Sequence, residues 1–245
     1  LEKEVKNKIF YLFCTMKAMY IIRGKVTESY KEFKDRIMDL MHTTGKNMPD
    51  AVVSLTLTEG PPPRLQVIPF RKGKIAVISI TGDIPQPESL FFQVEGYSGS
   101  YQVTEALPVT YQKTWADGTR TPGVCLLTLF RKKRNIDYAT FLDRWHNSHT
   151  PLSLRIHPLW HYNRNVVDKQ TVGAPAEWDG IVEEHFRERR HLTNPRIFFG
   201  NPLTMWYHMI QVYTDTRSFL DYHTIETYLA QEYVMKSNTP PQPLP

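Results

Sequence analysis

Cysteine is nearly absent from this chain: two in 245 residues, Cys14 and Cys125, far apart and each within an apolar run. That excludes a disulfide scaffold and a CxxC zinc site and points to buried free thiols in a reducing compartment. Long apolar runs are missing too. The stretch IFYLFCTM falls well short of the roughly 18 residues a membrane-spanning helix needs, and the charges that follow it do not resemble a cleavage region. A cytoplasmic protein with no membrane partner is therefore expected. Neither GxGxxG nor GxxxxGKS occurs, which disfavours nucleotide-dependent mechanisms, and HExxH is lacking as well. Nor is one charge sign dominant: 30 Lys and Arg face 25 Asp and Glu, a net charge of +5. Interleaved charges of this kind describe a solvated surface, so nucleic acid is not an expected partner. The one dense run, Arg131 to Arg134, reads as a strand end turning into solvent.

What is present is a globular composition, 41% apolar with 12 Phe, 13 Tyr and 5 Trp, long enough for one large domain or two small ones. It also holds an internal repeat. RGKVTESYKEFKDR (Arg23 to Arg36) aligns without a gap on RKKRNIDYATFLDR (Arg131 to Arg144), with six of 14 positions identical. Tyr138 stands 108 residues after Tyr30, and at the same offset KAMYII precedes the first segment and CLLTLF the second. Each is an apolar run of strand length. After each comes a helical stripe, Tyr30, Phe33, Ile37 and Leu40 in one case, Tyr138, Phe141 and Trp145 in the other.

AVVSLTLT and KIAVISIT read as further strands of the first half, PQPESLFFQV as holding a short helix and SYQVTEALPVTYQKTW as a final strand or ribbon. In the second half WHYNRNVV, GIVEEHF and MWYHMIQVY read as strands and the segment around RERRHL as a helix. RSFLDYHTIETYLAQEYVMK reads as a last helix. The expected fold class is α+β: tandem ferredoxin-like repeats, each βαββαβ. The first, degenerate half spans 9–116 and the second 123–237, with a linker in ADGTRTPG and a disordered Pro-rich tail over 238–245.

Three pieces of the second half, FLDRWHNSHTPL (Phe141 to Leu152), YNRN (Tyr162 to Asn165) and WDGIVEEHF (Trp178 to Phe186), fall in an order and spacing that resembles the EthD-type members of the dimeric α/β-barrel superfamily. The resemblance implies two ferredoxin-like halves closing an intramolecular dimeric α/β barrel, so that the chain is a monomeric pseudo-dimer or a homo-oligomer of such units. It also implies a small-molecule enzyme. Fungal relatives dehydrate or decarboxylate aromatic polyketides, and cousins include cofactor-free monooxygenases, cyclases and haem-dependent enzymes. A shared fold does not choose among these.

The residues narrow the choice. His146 and His149 stand where the first copy has Met38 and Met41, so two titratable rings replace two soft apolar side chains. The stripe through Tyr138, Phe141 and Trp145 continues to His149 on the buried face, and His146 lies on the flank. A buried imidazole requires a polar partner. Pro151 predicts that the helix ends or kinks at Thr150, which would place His149 in the last turn, where the macrodipole favours its protonated form. His149 is therefore the expected acid or base and His146 its assistant; the bland alternative is two satisfied structural histidines. Trp145, Tyr162, Asn165, Trp178, Asp179 and Glu183 are candidates for contacting a hydrophobic, aromatic or oxygenated ligand, with Trp206 and Tyr207 as further lining. Which strand face looks into the pocket is open from sequence alone. The expected chemistry is cofactor-independent dehydration, decarboxylation or cyclisation. An oxidoreductase of the cofactor-free or haem type and a non-catalytic ligand-binding protein are the alternatives. No cofactor is expected; the alternatives are a metal ion on the histidine pair, with His157, His161, His185 or His208 adding ligands, and haem on His149 or His208.

Overall fold

The computed structural model describes residues 17–46, 48, 50–64, 66–82, 90–170 and 177–238. Its strands are β1 (Lys17–Arg23), β2 (Val52–Leu57), β3 (Ile75–Thr81), β4 (Tyr97–Val109), β5 (Val124–Phe130), β6 (His161–Gln170), β7 (Gly180–Phe186) and β8 (Glu226–Lys236). They form one closed barrel in the order β1-β3-β2-β8-β5-β7-β6-β4, and every ladder is antiparallel. Closure leaves no strand edge unpaired.

The helices lie outside the barrel. Helix α1 (Tyr30–Lys46) follows β1 and opens with a capping box, in which the Ser29 hydroxyl accepts from the Glu32 N–H and the Glu32 carboxylate accepts from the Ser29 N–H. Helix α2 (Tyr138–Asp143) follows β5 and is capped by Asp137, whose carboxylate accepts from the Thr140 N–H at 2.7 Å. It runs without a break through a π-helical turn, Arg144–His149, into α3 (Thr150–Ile156). Two short helices, α4 (Arg189–Thr193) and α5 (Pro195–Phe198), precede the long α6 (Met205–Phe219).

Strand alternation divides the side chains between two environments. Met19 and Ile21 on β1, Cys125, Leu127 and Leu129 on β5, Ile181 on β7 and Tyr228 and Ala230 on β8 fill the barrel interior. The intervening residues pack outward under helices. Ala18, Tyr20 and Ile22 meet Phe33, Ile37 and Met41 of α1, whereas Phe130, Tyr162 and Val182 meet Phe141, Trp145 and Phe219. One glycine is demanded by a close approach. Gly123 enters β5 at φ +93°, and a Cβ there would lie 2.1 Å from the Phe186 carbonyl oxygen.

This sheet corrects the expected α+β fold of tandem ferredoxin-like repeats. The eight strands make one closed antiparallel barrel with few helices, and its seams, β2–β8 and β4–β6, join strands far apart in sequence. Hydrophobic periodicity finds strands but carries no record of such remote pairing. Two elements also exchange type. MWYHMIQVY, read as a strand, is the first part of α6, and most of the supposed last helix is β8. In β8 the helix formers Leu229 and Ala230 yield to pairing with β5, and Gln231 and Glu232 to pairing with β2. Of PQPESLFFQV, residues 90–94 form a turn and the rest lies outside the described residues, as do nearly all of the tail and Cys14. Among the described residues no helix is long and apolar enough to cross a membrane.

Candidate functional site

A cavity of about 280 Å³ lies between the outer face of β5–β7–β6 and the helices α3, α5 and α6. Its wall is mostly apolar, with Leu126, Phe130, Val182, Phe198, Val212 and Phe219 among the contributors. Trp145, His149, Ser153, His157, Tyr162 and Glu184 also line it. The volume is at the small end of the range of roughly 300–1,000 Å³ usual for ligand pockets.

The π-helical turn sets the position of His149. Thr150 N–H bonds the Trp145 carbonyl, five residues back, and the Thr150 hydroxyl donates to that same oxygen at 2.9 Å. Arg164 on β6 then donates to the Thr150 hydroxyl at 2.8 Å. The widened turn gives Pro151, which has no N–H, room inside a continuous helix. The expected helix end at Thr150 is thus absent. Seven residues of α3 follow His149, so the macrodipole argument for its protonation does not apply.

His149 is held at both ring nitrogens. Nδ1 lies 2.8 Å from the Asp215 carboxylate on α6, and Nε2 lies 3.2 Å from the Ser153 hydroxyl one turn further along α3. Burial pushes the Asp215 carboxyl up, but hydrogen bonds from His149 and from the Ser148 hydroxyl (2.5 Å) outweigh it and hold the acid below its ordinary range. An ionised Asp215 accepts Nδ1–H. In the neutral ring Nε2 is then the lone-pair side, accepting the Ser153 proton.

The connectivity Ser153–His149–Asp215 is that of a nucleophilic triad, but Ser153 is completely buried on an ordinary helical turn. A helical serine can alternatively bond the carbonyl four residues back, here that of His149 itself. Ser153 is thus placed to orient the ring, which leaves Nε2 as the ring nitrogen able to take a proton.

Two further polar groups share the cavity. His157 donates Nδ1–H to the Phe198 carbonyl at 2.8 Å and stacks on the Phe198 ring. Burial pushes it down to about 4, so it is a neutral acceptor at Nε2. Burial pushes the Glu184 carboxyl up to about 7.

The structure sorts the candidates named from sequence. Trp145 and Tyr162 line the cavity with His149. His146 does not: its Nε2 is buried without a hydrogen-bond partner, and burial, with Arg164 nearby, lowers it to about 4. Asn165, Glu183 and Trp178 lie on the barrel-interior side. There Asn165 donates to the Ile181 carbonyl, and Glu183 accepts from the Thr56 hydroxyl and the Asn163 amide. Asp179 accepts the Lys132 N–H at 2.8 Å, tying β7 to the end of β5. Trp206 and Tyr207 are exposed on the outer side of α6.

Asp215, Ser153 and Glu184 are not candidates from sequence, and His157 enters there only as a possible metal ligand. Ser153 could have been found from its place four residues after His149, and Glu184 from its sharing a strand face with Val182 and Phe186. Asp215 had no such signal, because its segment was read across an element boundary. Among the described residues no group of three or more His, Cys, Asp or Glu side chains is arranged to hold a metal ion. His208 directs Nδ1 at the Phe199 carbonyl, 2.6 Å away.

No protein-family model matches the sequence, and no curated protein matches it significantly. Solved structures do match in fold. An anthrone oxidase-like protein superposes with a TM-score of 0.60 at 7% identity, covering 94% of this chain and 98% of its own. A candidate monooxygenase from Fusobacterium nucleatum superposes with a TM-score of 0.52 at 12% identity, over the same shares of the two chains. The chain thus shares the fold of these two structures. Neither match names an EthD protein, and at these identities the likeness is one of fold.

Proposed function

We propose that this protein is a small-molecule enzyme that removes a proton from a hydrophobic aromatic compound, with His149 as the base. One observation carries the reading: an imidazole clamped between an ionised carboxylate and a hydroxyl, on the wall of an otherwise apolar cavity. Asp215 fixes the tautomer and stabilises the imidazolium that forms when Nε2 takes the proton. The apolar wall excludes water, so the charge pair formed in the step is attracted more strongly than it would be in solvent. Trp145, Phe130 and Tyr162 offer ring faces and edges to a flat ligand.

The fold neighbours' names support an oxidative outcome over dehydration or decarboxylation. A carbanion formed at an activated CH2 group can react with dioxygen to a hydroperoxide, which loses water to leave a ketone. The two hydrogens of the carbon and one oxygen atom leave as that water, and dioxygen is the four-electron oxidant. This chain's own part in that sequence is the first proton transfer.

The test is oxygen consumption and product analysis with anthrone, a three-ring ketone with an activated CH2, for the unaltered protein and for H149A. General acid–base catalysis is worth typically 10²–10⁴ in rate, so H149A should lose about that factor while keeping its thermal transition. A folded H149A protein with unchanged turnover would refute the assignment.

A further inference from the structure

Glu184 is the second chemically unusual group in the cavity. On β7 its Cα partners are Leu126 of β5 and Tyr162 of β6, so it sits in the middle of the three-strand floor. Its side chain is 8% exposed and faces the cavity, where Leu126 and Val182 are its apolar neighbours in the lining. Among the described residues its carboxyl has no hydrogen-bond or ion-pair partner. That sets it apart from its strand neighbour Glu183, which accepts two hydrogen bonds in the barrel interior. A carboxylate in such surroundings is a bare charge and costs far more than the neutral acid. The group is therefore an O–H donor aimed into an apolar space. His157, with Nδ1–H committed to Phe198, presents only an acceptor.

We propose that Glu184 is the residue that recognises the substrate's carbonyl oxygen, so that the cavity selects an aromatic ketone and presents its acidic C–H to His149. This rests on the proton-abstraction reading above. In the step, the C–H bond breaks and its proton passes to His149 Nε2. The electron pair moves toward the carbonyl oxygen, and the Glu184 O–H hydrogen bond to that oxygen strengthens as the enolate charge builds. No oxidant is required for this half of the chemistry.

The experiment measures anaerobic binding of anthrone and of 9,10-dihydroanthracene, which has the same three-ring frame without the carbonyl. An H149A background keeps the ligand from being consumed. With Glu184 present, anthrone should bind roughly 2- to 10-fold more tightly, the range that one net hydrogen bond supplies. E184L should abolish that preference, and E184Q, whose amide still donates, should retain it. A preference that survives in E184L, no preference with Glu184 present, or no binding of either compound would overturn the proposal. E184M serves the same purpose if E184L does not fold. The two readings separate cleanly. A carbonyl preference in a protein whose turnover does not depend on His149 leaves Glu184 as a recognition residue and removes the base. Turnover that depends on His149 without a carbonyl preference does the reverse.

Discussion

At the scale of single residues, charge and burial decide what each group can do. Asp215 stays ionised because two hydrogen bonds outweigh its burial, and that ionisation selects the tautomer of His149. D215N should therefore lower turnover by roughly 10²–10⁴, approaching the loss in H149A, because an amide can turn its N–H₂ to Nδ1 and leave the proton on Nε2. Steady-state rates for the two variants check this; a D215N protein as fast as the original would remove the dyad.

Glu184 carries the opposite sign. Its folded-state pKa is raised by burial, to about 7 from an ordinary 4.5. Such a group contributes full stability below its unfolded value and loses it as pH rises through the folded one. Glutamine titrates nowhere, so E184Q should gain on the original protein as pH rises from 4.5 to 7, by on the order of 3 kcal/mol at the upper end. Urea unfolding at pH 4 and pH 8 measures it, and an unchanged difference between the two proteins at both pH values would refute the buried, unpaired acid.

The histidine pair was partly legible at this scale. The contrast of Met41, on the buried face of α1, with His149 at the position 108 residues later marked one helix face as altered in the second half. It could not say that Asp215, 66 residues away, supplies the partner. Long-range pairing of a carboxylate with an imidazole leaves no spacing in the sequence.

At the scale of elements, two features fix the site: the π-helical turn and the bare backbone of Gly180. The turn lets the helix pass Pro151 without breaking and carries Trp145, His149 and Ser153 toward the sheet. Gly180 opens β7 directly under the same helix. A Cβ there would fall 2.4 Å from the Phe130 ring and 2.7 Å from the Trp145 ring, both buried and packed edge-to-face at 4.9 Å. G180A should therefore cost about 1–3 kcal/mol of stability and displace Trp145 from the cavity wall. Thermal melts and the near-ultraviolet signal of the tryptophans test this, and a G180A protein that melts like the original would contradict the packing described.

Periodicity located β1, β2, β3, β5, β6 and β7 correctly, because each is an apolar or alternating run between turn residues. It failed on α6 and β8. The inner face of α6 bears Val212, Thr216 and Phe219 toward the cavity, while Trp206, Tyr207 and Ile210 point outward. A helix apolar on both sides shows no clean 3.6-residue stripe. The residues of β8 prefer helix intrinsically and are strand only because two neighbouring strands pair with them.

At the scale of the whole molecule, the barrel is a shared object. Residues 17–109 and 124–236 each contribute four strands, yet the interior core mixes Met19, Ile21 and Val77 with Cys125, Leu127 and Ile181. Arg23 reaches Glu226 at 2.8 Å across the length of the chain. Neither set of four strands retains its interior without the other. Unfolding should therefore be one cooperative transition, with coincident loss of far- and near-ultraviolet circular dichroism. Two separated transitions would show that the halves are independent units. The sequence made the strand-then-helix openings visible at Tyr30 and Tyr138, but not the seams β2–β8 and β4–β6 that turn two sets of strands into one closed sheet.

Everything proposed for this cavity depends on His149 removing a proton from carbon. The measurement that tests it most directly is anaerobic hydrogen–deuterium exchange at the CH2 group of anthrone in heavy water, followed by proton NMR. Exchange above the buffer rate is expected with the unaltered protein, with a loss of about 10²–10⁴ of that excess in H149A and an excess little changed in H146A, whose ring lies outside the cavity. Equal exchange with and without His149, at saturating ligand and intact fold, would contradict it.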